Sequence, residues 1–260
     1  MRIRKALLIT PDRCIACRSC QVACKEWNGL TAEPAENTGS FENPVALGPN
    51  SYNRIRFIEK AAQDKLEWHF LSERCVHCGD AACVKVCPSG ALYYTAFDTV
   101  AVDSSKCVAC HYCISACPFE VPRYNAAGKI AKCHLCSDRI TNGLEPACAK
   151  SCPTDAIRYG DRDALITEAR REGKTPYGEA DLGGMGVVYA LSRDPGLYGL
   201  PAKPTIHPAI TLWRDILRPL GWIGFWGGLG FTFLHYVTFG PKKLHMPEKT
   251  IREEDQKGGE

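Results

Sequence analysis

The chain lacks a strong charge of either sign, any Lys/Arg-rich block and any cysteine left over from its motifs, and each lack closes a class of function. A formal net charge of +3 over 260 residues gives no ground for a nucleic-acid partner. The opening stretch MRIRKALLIT carries an apolar run of only four residues, short of the core of a secretory signal. No paired carboxylates, serine triad or phosphate loop stand out, so the chain is not expected to perform substrate chemistry. The glycines of DLGGMGVVYALS, residues 181–192, lack the strand–turn–helix setting of a nucleotide loop and read as a turn. With 45% hydrophobic residues, 17 prolines and 23 glycines, the length suits one large domain, or two small ones with an extension, rich in loops.

What is present is 16 cysteines in four groups of four. CIACRSCQVAC holds Cys14, Cys17, Cys20 and Cys24, and CVHCGDAACVKVC holds Cys75, Cys78, Cys83 and Cys87. CVACHYCISAC holds Cys107, Cys110, Cys113 and Cys117, and CHLCSDRITNGLEPACAKSC holds Cys133, Cys136, Cys148 and Cys152. Cysteines two residues apart seldom bond each other but converge readily on metal, which argues against a disulfide framework. Structural zinc uses two pairs separated by a longer finger, a poor match to three close cysteines and a fourth. The pattern fits the bacterial ferredoxin run, including the following proline at Pro88, Pro118 and Pro153; Lys25 replaces it in the first group. In such runs a short loop delivers three thiolates to one cubane, and the fourth cysteine reaches a second cluster. Four groups therefore predict four [4Fe–4S] clusters.

The second and third groups are joined by PSGALYYTAFDTVAVDSSK, whose alternating apolar residues predict a strand pair. If these two groups pair reciprocally, one cluster takes Cys75, Cys78, Cys83 and Cys117, and its neighbour takes Cys87, Cys107, Cys110 and Cys113. The first and fourth groups are then left for each other: Cys14, Cys17, Cys20 and Cys152 hold one cluster, and Cys24, Cys133, Cys136 and Cys148 the other. PTDAIRYG after Cys152 mirrors PSGALYYT after Cys87, as an internal duplication would. The expected fold is α+β with two nested ferredoxin-like modules. Residues 1–30 with 125–165 form one and 68–124 the other, joined by a segment over 31–67. An extension over 166–215, a membrane helix over 216–240 and a polar tail over 241–260 follow. His77, His111 and His134 lie inside the groups, but every cluster already has four cysteines, so they read as neighbours adjusting solvation or hydrogen bonding.

Residues 220–239, LGWIGFWGGLGFTFLHYVTF, contain five glycines and one ionisable residue, His235. A run of about 20 residues matches a bilayer core of roughly 30 Å. Arg214 and Arg218 before it, Lys242 and Lys243 after it, and Trp213, Trp222 and Tyr236 near its ends suit interfacial anchors. Gly221, Gly224 and Gly228 share one face, where a neighbouring helix can approach closely. His235 reads as a hydrogen-bonding group toward a partner helix or headgroup rather than a haem ligand. The 20 residues before the span carry three basic residues (Lys203, Arg214, Arg218) and the 20 after it carry five (Lys242, Lys243, Lys249, Arg252, Lys257). That bias places the C-terminus in the cytoplasm and the cluster region outside.

CIACRSCQVACKEWN, KLEW, CVHCGDAACVKVCPSGA, CHYCISACPFEVPR, CHLCSDRITNGLEPACAKSCPT and FLHYVTFGP closely resemble the iron–sulfur beta subunit of membrane-bound respiratory formate dehydrogenases. The resemblance covers nearly the whole chain. Its cysteine groups are shared with beta subunits of nitrate, dimethyl sulfoxide and polysulfide reductases and with hydrogenase partners, several of which lack the C-terminal span. It implies a non-catalytic electron-transfer subunit between a molybdenum- or tungsten-containing, molybdopterin-bearing alpha subunit that oxidises formate and a membrane cytochrome b gamma subunit that reduces quinone. It implies that the first and fourth groups face alpha while the second and third face the membrane. Cys110 occupies the position where some relatives carry tryptophan, so four complete cubanes are implied. It also implies membrane lipid as a partner, export folded with alpha under alpha's twin-arginine signal, and a heterotrimer able to associate further.

Overall fold

The computed structural model describes residues 4–32, 39–62 and 65–240. The chain divides into two compact units, Met1–Thr211 and Leu212–Glu260. In the first, β1 (Lys5–Ile9) leads to α1 (Ser19–Trp27), and a long antiparallel hairpin follows, β2 (Asn53–Ala62) with β3 (Lys65–Arg74). Short elements then alternate with the cysteines: α2 (Ala82–Lys85), β4 (Leu92–Tyr94), β5 (Val100–Val102), α3 (Tyr112–Ala116), β6 (Arg123–Tyr124), β7 (Ile130–Ala131), α4 (Ser137–Thr141) and α5 (Ala147–Lys150). After the last cysteine come β8 (Ile157–Asp161), α6 (Arg162–Arg171), β9 (Thr175–Tyr177) and β10 (Val187–Leu191), with a short helical turn, α7 (Pro208–Thr211), ending the unit.

One sheet closes this unit, in the order β8-β1-β10-β9. β1 runs parallel to β10 and antiparallel to β8. Side chains alternate across a strand, so each central strand serves two cores. Leu8, Val188 and Ala190 pack against Leu165, Ile166 and Ala169 of α6. Leu7, Ile9, Val187, Tyr189 and Leu191 face the cysteine region and meet Cys20, Ile55, Leu71, Val76, Leu135 and Cys148. α6 is amphipathic, burying positions 162, 165, 166 and 169 on one face, and the carboxylate of Asp161 caps it by accepting the Ala164 N–H. Burying each large aliphatic residue here stabilises by roughly 1.5–3 kcal/mol.

Residues 166–215, expected as an extension, thus supply most of α6 and both β9 and β10. The sheet pairing of VVYAL with β1, from the other end of the chain, carries no local sequence signal. The glycine-rich turn before it, Asp181–Gly183, packs against the second cysteine group. Gly79 N–H donates to Gly184 O at 2.8 Å, and a Cβ on Gly79 would lie 2.2 Å from Gly183 O. The strand pair expected between the second and third groups is β4 with β5, in the register Leu92 opposite Val102. Its small core consists of Ala81, Leu92, Val100 and Ile130 together with Cys83 and Cys113.

In the second unit, a π-helical turn at Leu212–Leu217 continues into α8 (Arg218–Phe239), which begins with Pro219 in its first turn and ends at Gly240. Gly240 adopts φ 61°, and its N–H donates to Tyr236 O at 2.9 Å, the usual satisfaction of a last-turn carbonyl. Trp222, Ile223, Phe225, Trp226, Phe231 and Phe233 are all exposed. Among the described residues no helix is long and apolar enough to cross a membrane. Here the glycines, tryptophans and His235 dilute the mean hydropathy of an otherwise apolar helix. The basic residues expected after it, Lys242, Lys243, Lys249, Arg252 and Lys257, lie outside the described residues, as does the tail over 241–260.

Candidate metal centres

Each cysteine group opens with the same backbone device. The residue before the second cysteine is left-handed in all four: Ala16 (φ 56°), His77 (φ 50°), Ala109 (φ 56°) and Leu135 (φ 59°). None is glycine, so each costs about 1–2 kcal/mol that the surroundings must offset. The left-handed turn aims successive N–H groups into the loop, a concavity suited to anionic sulfur. At Leu135 the N–H points to Cys133 Sγ at 3.4 Å. Arg18, His111 and Cys136, also left-handed, then start α1, α3 and α4.

The side chains of different groups line common chambers. The first is lined by Cys14, Cys17, Cys20 and Cys152 among Ile9, Ile15, Ile55 and Ile157, with about 380 Å³ of empty space. The second is lined by Cys24, Cys133, Cys136 and Cys148 beside Asn28, Tyr52, Arg74 and His134, with about 280 Å³. Another, of about 320 Å³, is lined by Cys87, Cys107, Cys110 and Cys113 with Leu92, Val102 and Ile130. Cys78 has Cys75, Cys117 and Cys83 as its electrostatic neighbours, and these four make the remaining set. We number this set third and the chamber of Cys110 fourth. In each case the neighbouring side chains come from two different groups. Among the described residues no three His, Cys, Asp or Glu side chains converge closely enough to hold one metal ion. A single zinc needs ligands at about 2.3 Å; these thiols instead stand around a volume, as the ligands of a four-iron cluster must.

The sets follow one another in line. Cys20 of the first feels Cys148 of the second, Cys133 of the second feels Cys75 of the third, and Cys83 of the third feels Cys113 of the fourth. Exposure distinguishes ends from middle. Cys17 and Cys110 are exposed, whereas all four cysteines of the second chamber are buried. Burial pushes the thiols of Cys20, Cys83, Cys113 and Cys133 up to about 12, and that of Cys136 to about 11. Without a cation these would be neutral thiols, so metal uptake must displace their protons. For Cys87 burial also raises the thiol, but hydrogen bonds from Leu92, Ser89 and Ala91 bring it below its ordinary value.

The three histidines spend ring nitrogens on their surroundings. His77 Nδ1 accepts the Val100 N–H at 3.1 Å, His111 Nε2 pairs with Gly128 O at 2.8 Å, and His134 Nε2 pairs with Asn28 Oδ1 at 2.6 Å. Sequence reasoning passed over two cations. Arg74, 2% exposed, donates from Nη1 to Cys148 Sγ at 2.8 Å and from Nη2 to Ser72 Oγ at 2.5 Å. Lys132, 3% exposed, donates to Val100 O at 2.6 Å and Cys133 O at 2.7 Å. The available signal was position: each directly precedes the first cysteine of its group.

Thiol chambers in line, built by left-handed cradles and short helices, define an iron–sulfur electron-carrying protein. Two models of a 4Fe-4S dicluster domain match residues 13–91 and 66–162, and a model described as formate dehydrogenase N, transmembrane, matches residues 206–248. That last match associates the C-terminal segment with a membrane. The formate dehydrogenase-O iron-sulfur subunit of Escherichia coli is 39% identical over 264 residues, covering 96% of this chain and 88% of its own length. The formate dehydrogenase iron-sulfur subunit of Haemophilus influenzae is 38% identical over 92% of this chain and 82% of its own. A subunit of the anaerobic dimethyl sulfoxide reductase of E. coli is 37% identical, but the match takes in 64% of the present sequence. The polypeptide belongs to the iron–sulfur subunits of formate dehydrogenases, electron-transfer subunits that are not themselves catalytic.

Proposed function

We propose that this chain carries electrons through four [4Fe–4S] clusters from a formate-oxidising molybdenum or tungsten subunit to a membrane cytochrome b and quinone. The ligands are Cys14, Cys17, Cys20 and Cys152; Cys24, Cys133, Cys136 and Cys148; Cys75, Cys78, Cys83 and Cys117; and Cys87, Cys107, Cys110 and Cys113. When bound, each cluster supplies a one-electron carrier. The observation that carries the reading is the gradient of exposure: each end chamber has one exposed cysteine, Cys17 or Cys110, while all four cysteines of the second are buried. Electrons enter at the first chamber, facing the catalytic partner, and leave at the fourth. The residues between do the rest. The aliphatic walls exclude water, the left-handed loops offer N–H groups to sulfur, and the nested arrangement of 1–30 with 125–165 around 68–124 keeps the chambers in file.

In the same reading α8 spans the bilayer once, with the C-terminus cytoplasmic and the cluster unit outside. Its apolar side chains are exposed around the whole helix, and Thr232 and Thr238 return their hydroxyls to Gly228 O and Leu234 O, each at 2.8 Å. Those internal bonds satisfy the only hydroxyls of an alcohol type on the helix, as a hydrocarbon setting demands. The test is to isolate the chain in mild detergent with its native partners. About sixteen irons per chain, an equal quantity of acid-labile sulfide and a co-purifying haem b and molybdopterin subunit are expected. A zinc-replete, sulfide-free preparation would overturn the reading.

A further inference from the structure

All four cysteine groups are preceded by a basic residue: Arg13 before Cys14, Arg74 before Cys75, Lys106 before Cys107 and Lys132 before Cys133. The structure uses this repeated position in two ways. At the outer groups the charge is neutralised at the surface, Arg13 by Glu172 at 3.0 Å and Lys106 by Asp103 at 3.2 Å. At the inner groups it is buried among thiols and carbonyls. We propose that Arg74 and Lys132 form a reciprocal pair of charge-setting residues, each rooted beside one inner chamber and raising the reduction potential of the other. Arg74 adjoins Cys75 of the third set, yet its Nη1 donates to Cys148 of the second and its charge also reaches Cys20 and Cys133. Lys132 adjoins Cys133 of the second set, yet its ammonium reaches Cys75 of the third as well as the carbonyls of Val100 and Cys133. The inference rests on the reading that these sets hold clusters.

The physical reason is charge. A cluster with four thiolate ligands is anionic, and accepting one electron from its neighbour adds one negative charge with no bond made or broken. A fixed cation in low dielectric, hydrogen-bonded to a ligand sulfur, favours the more negative state. Arg74 remains a cation, and its hydrogen bond to Cys148 is charge-assisted. Two carbonyls accept from the Lys132 ammonium, and the sulfur of Cys75 acts on it more strongly than any other cysteine does. The junction of the third and fourth sets is instead packed with Ala81, Leu92, Val100 and Ile130. The two middle carriers are therefore held more reducible than the same sulfurs alone would make them.

The experiment is a redox titration followed by electron paramagnetic resonance on the intact purified complex, with iron and sulfide counted for every variant. That count in the unsubstituted complex tests the cluster reading separately. Arg74→Gln and Lys132→Gln should each lower the reduced-to-oxidised ratio of an inner cluster at least tenfold at fixed potential, equal to 59 mV for one electron. The two variants should affect different clusters most. Arg74→Lys and Lys132→Arg, which keep the charge, should stay within tenfold, and Arg13→Gln and Lys106→Gln should shift none. Unchanged midpoints in fully loaded Arg74→Gln and Lys132→Gln overturn the proposal, as does an equal shift in Arg13→Gln. Should the glutamine variants fail to load iron, full loading of Arg74→Lys and Lys132→Arg supports a requirement for charge. Failure of these as well overturns it in favour of shape.

Discussion

Cys20 and Cys24 sit one turn apart on the same face of α1 yet line different chambers, so deleting one should empty a different site from deleting the other. Cys24 is 7% exposed and stands with Cys133, Cys136 and Cys148. Besides burial and Arg74, the groups that act on its thiol are Cys133, Cys148 and Cys136 of the fourth group. If each set holds four irons, Cys24→Ala should cost at most one cluster, about four of about sixteen irons. Pairs of substitutions make the test sharp, because changes within one site are not additive and changes in separate sites are. Cys24→Ala with Cys136→Ala should lose no more iron than either alone. Cys24→Ala with Cys14→Ala should lose about twice as much, near half of the total. Iron and sulfide analysis of the purified complex reads the answer, with protein yield normalised to the co-purifying partners. If Cys24→Ala with Cys14→Ala loses only a quarter, Cys24 serves the cluster of its own group and the reciprocal sets are wrong.

Four further outcomes are expected. Gly79→Ala places a methyl 2.2 Å from Gly183 O, and shifting that turn should cost about 1–3 kcal/mol, seen as faster thermal loss of cluster absorbance than in Gly160→Ala, where a Cβ makes only ordinary contacts with Leu165, 3.7 Å away. Burial would raise the Asp12 carboxyl, but bonds from Lys174 and Ser192 hold it below its ordinary value. A depressed carboxylate stabilises fully above its unfolded pKa and loses that stabilisation as pH falls through the folded value. Asp12→Asn should therefore lower the unfolding free energy at neutral pH by under about 1 kcal/mol, a deficit that begins to close as pH falls below about 3.9 and is gone below the still lower folded value. Removing residues from 212 onward should leave a soluble unit that keeps its iron, since every cysteine precedes residue 153. Gly224→Leu and Gly228→Leu should weaken co-purification of the membrane cytochrome, although among the described residues of its own unit a Cβ at either meets nothing within 4 Å. Retention of the cytochrome at full quinone-reducing rate by the truncated chain would reduce α8 to a tether.

The four cysteine groups, and with them the iron–sulfur class, were legible in the sequence because ligand spacing is local chemistry: closely spaced thiols in a short loop bend around one body. The β4–β5 pair was legible for a similar reason, as apolar alternation over a short stretch. The β8-β1-β10-β9 sheet was not, because it joins strands from both ends of the chain, and VVYAL has no period that says which partner it will find. Nor did the sequence reveal the left-handed residues. Ala16, His77, Ala109 and Leu135 hold a conformation their own side chains disfavour, imposed by the cysteines on either side. The four basic residues before the cysteine groups look alike in the sequence. Only the tertiary structure separates Arg13 and Lys106, which find carboxylates at the surface, from Arg74 and Lys132, which burial leaves with sulfur and backbone oxygen as partners. A side chain's charge is written in its identity; the dielectric around it, and so the strength of its effect, is set by what the fold packs over it.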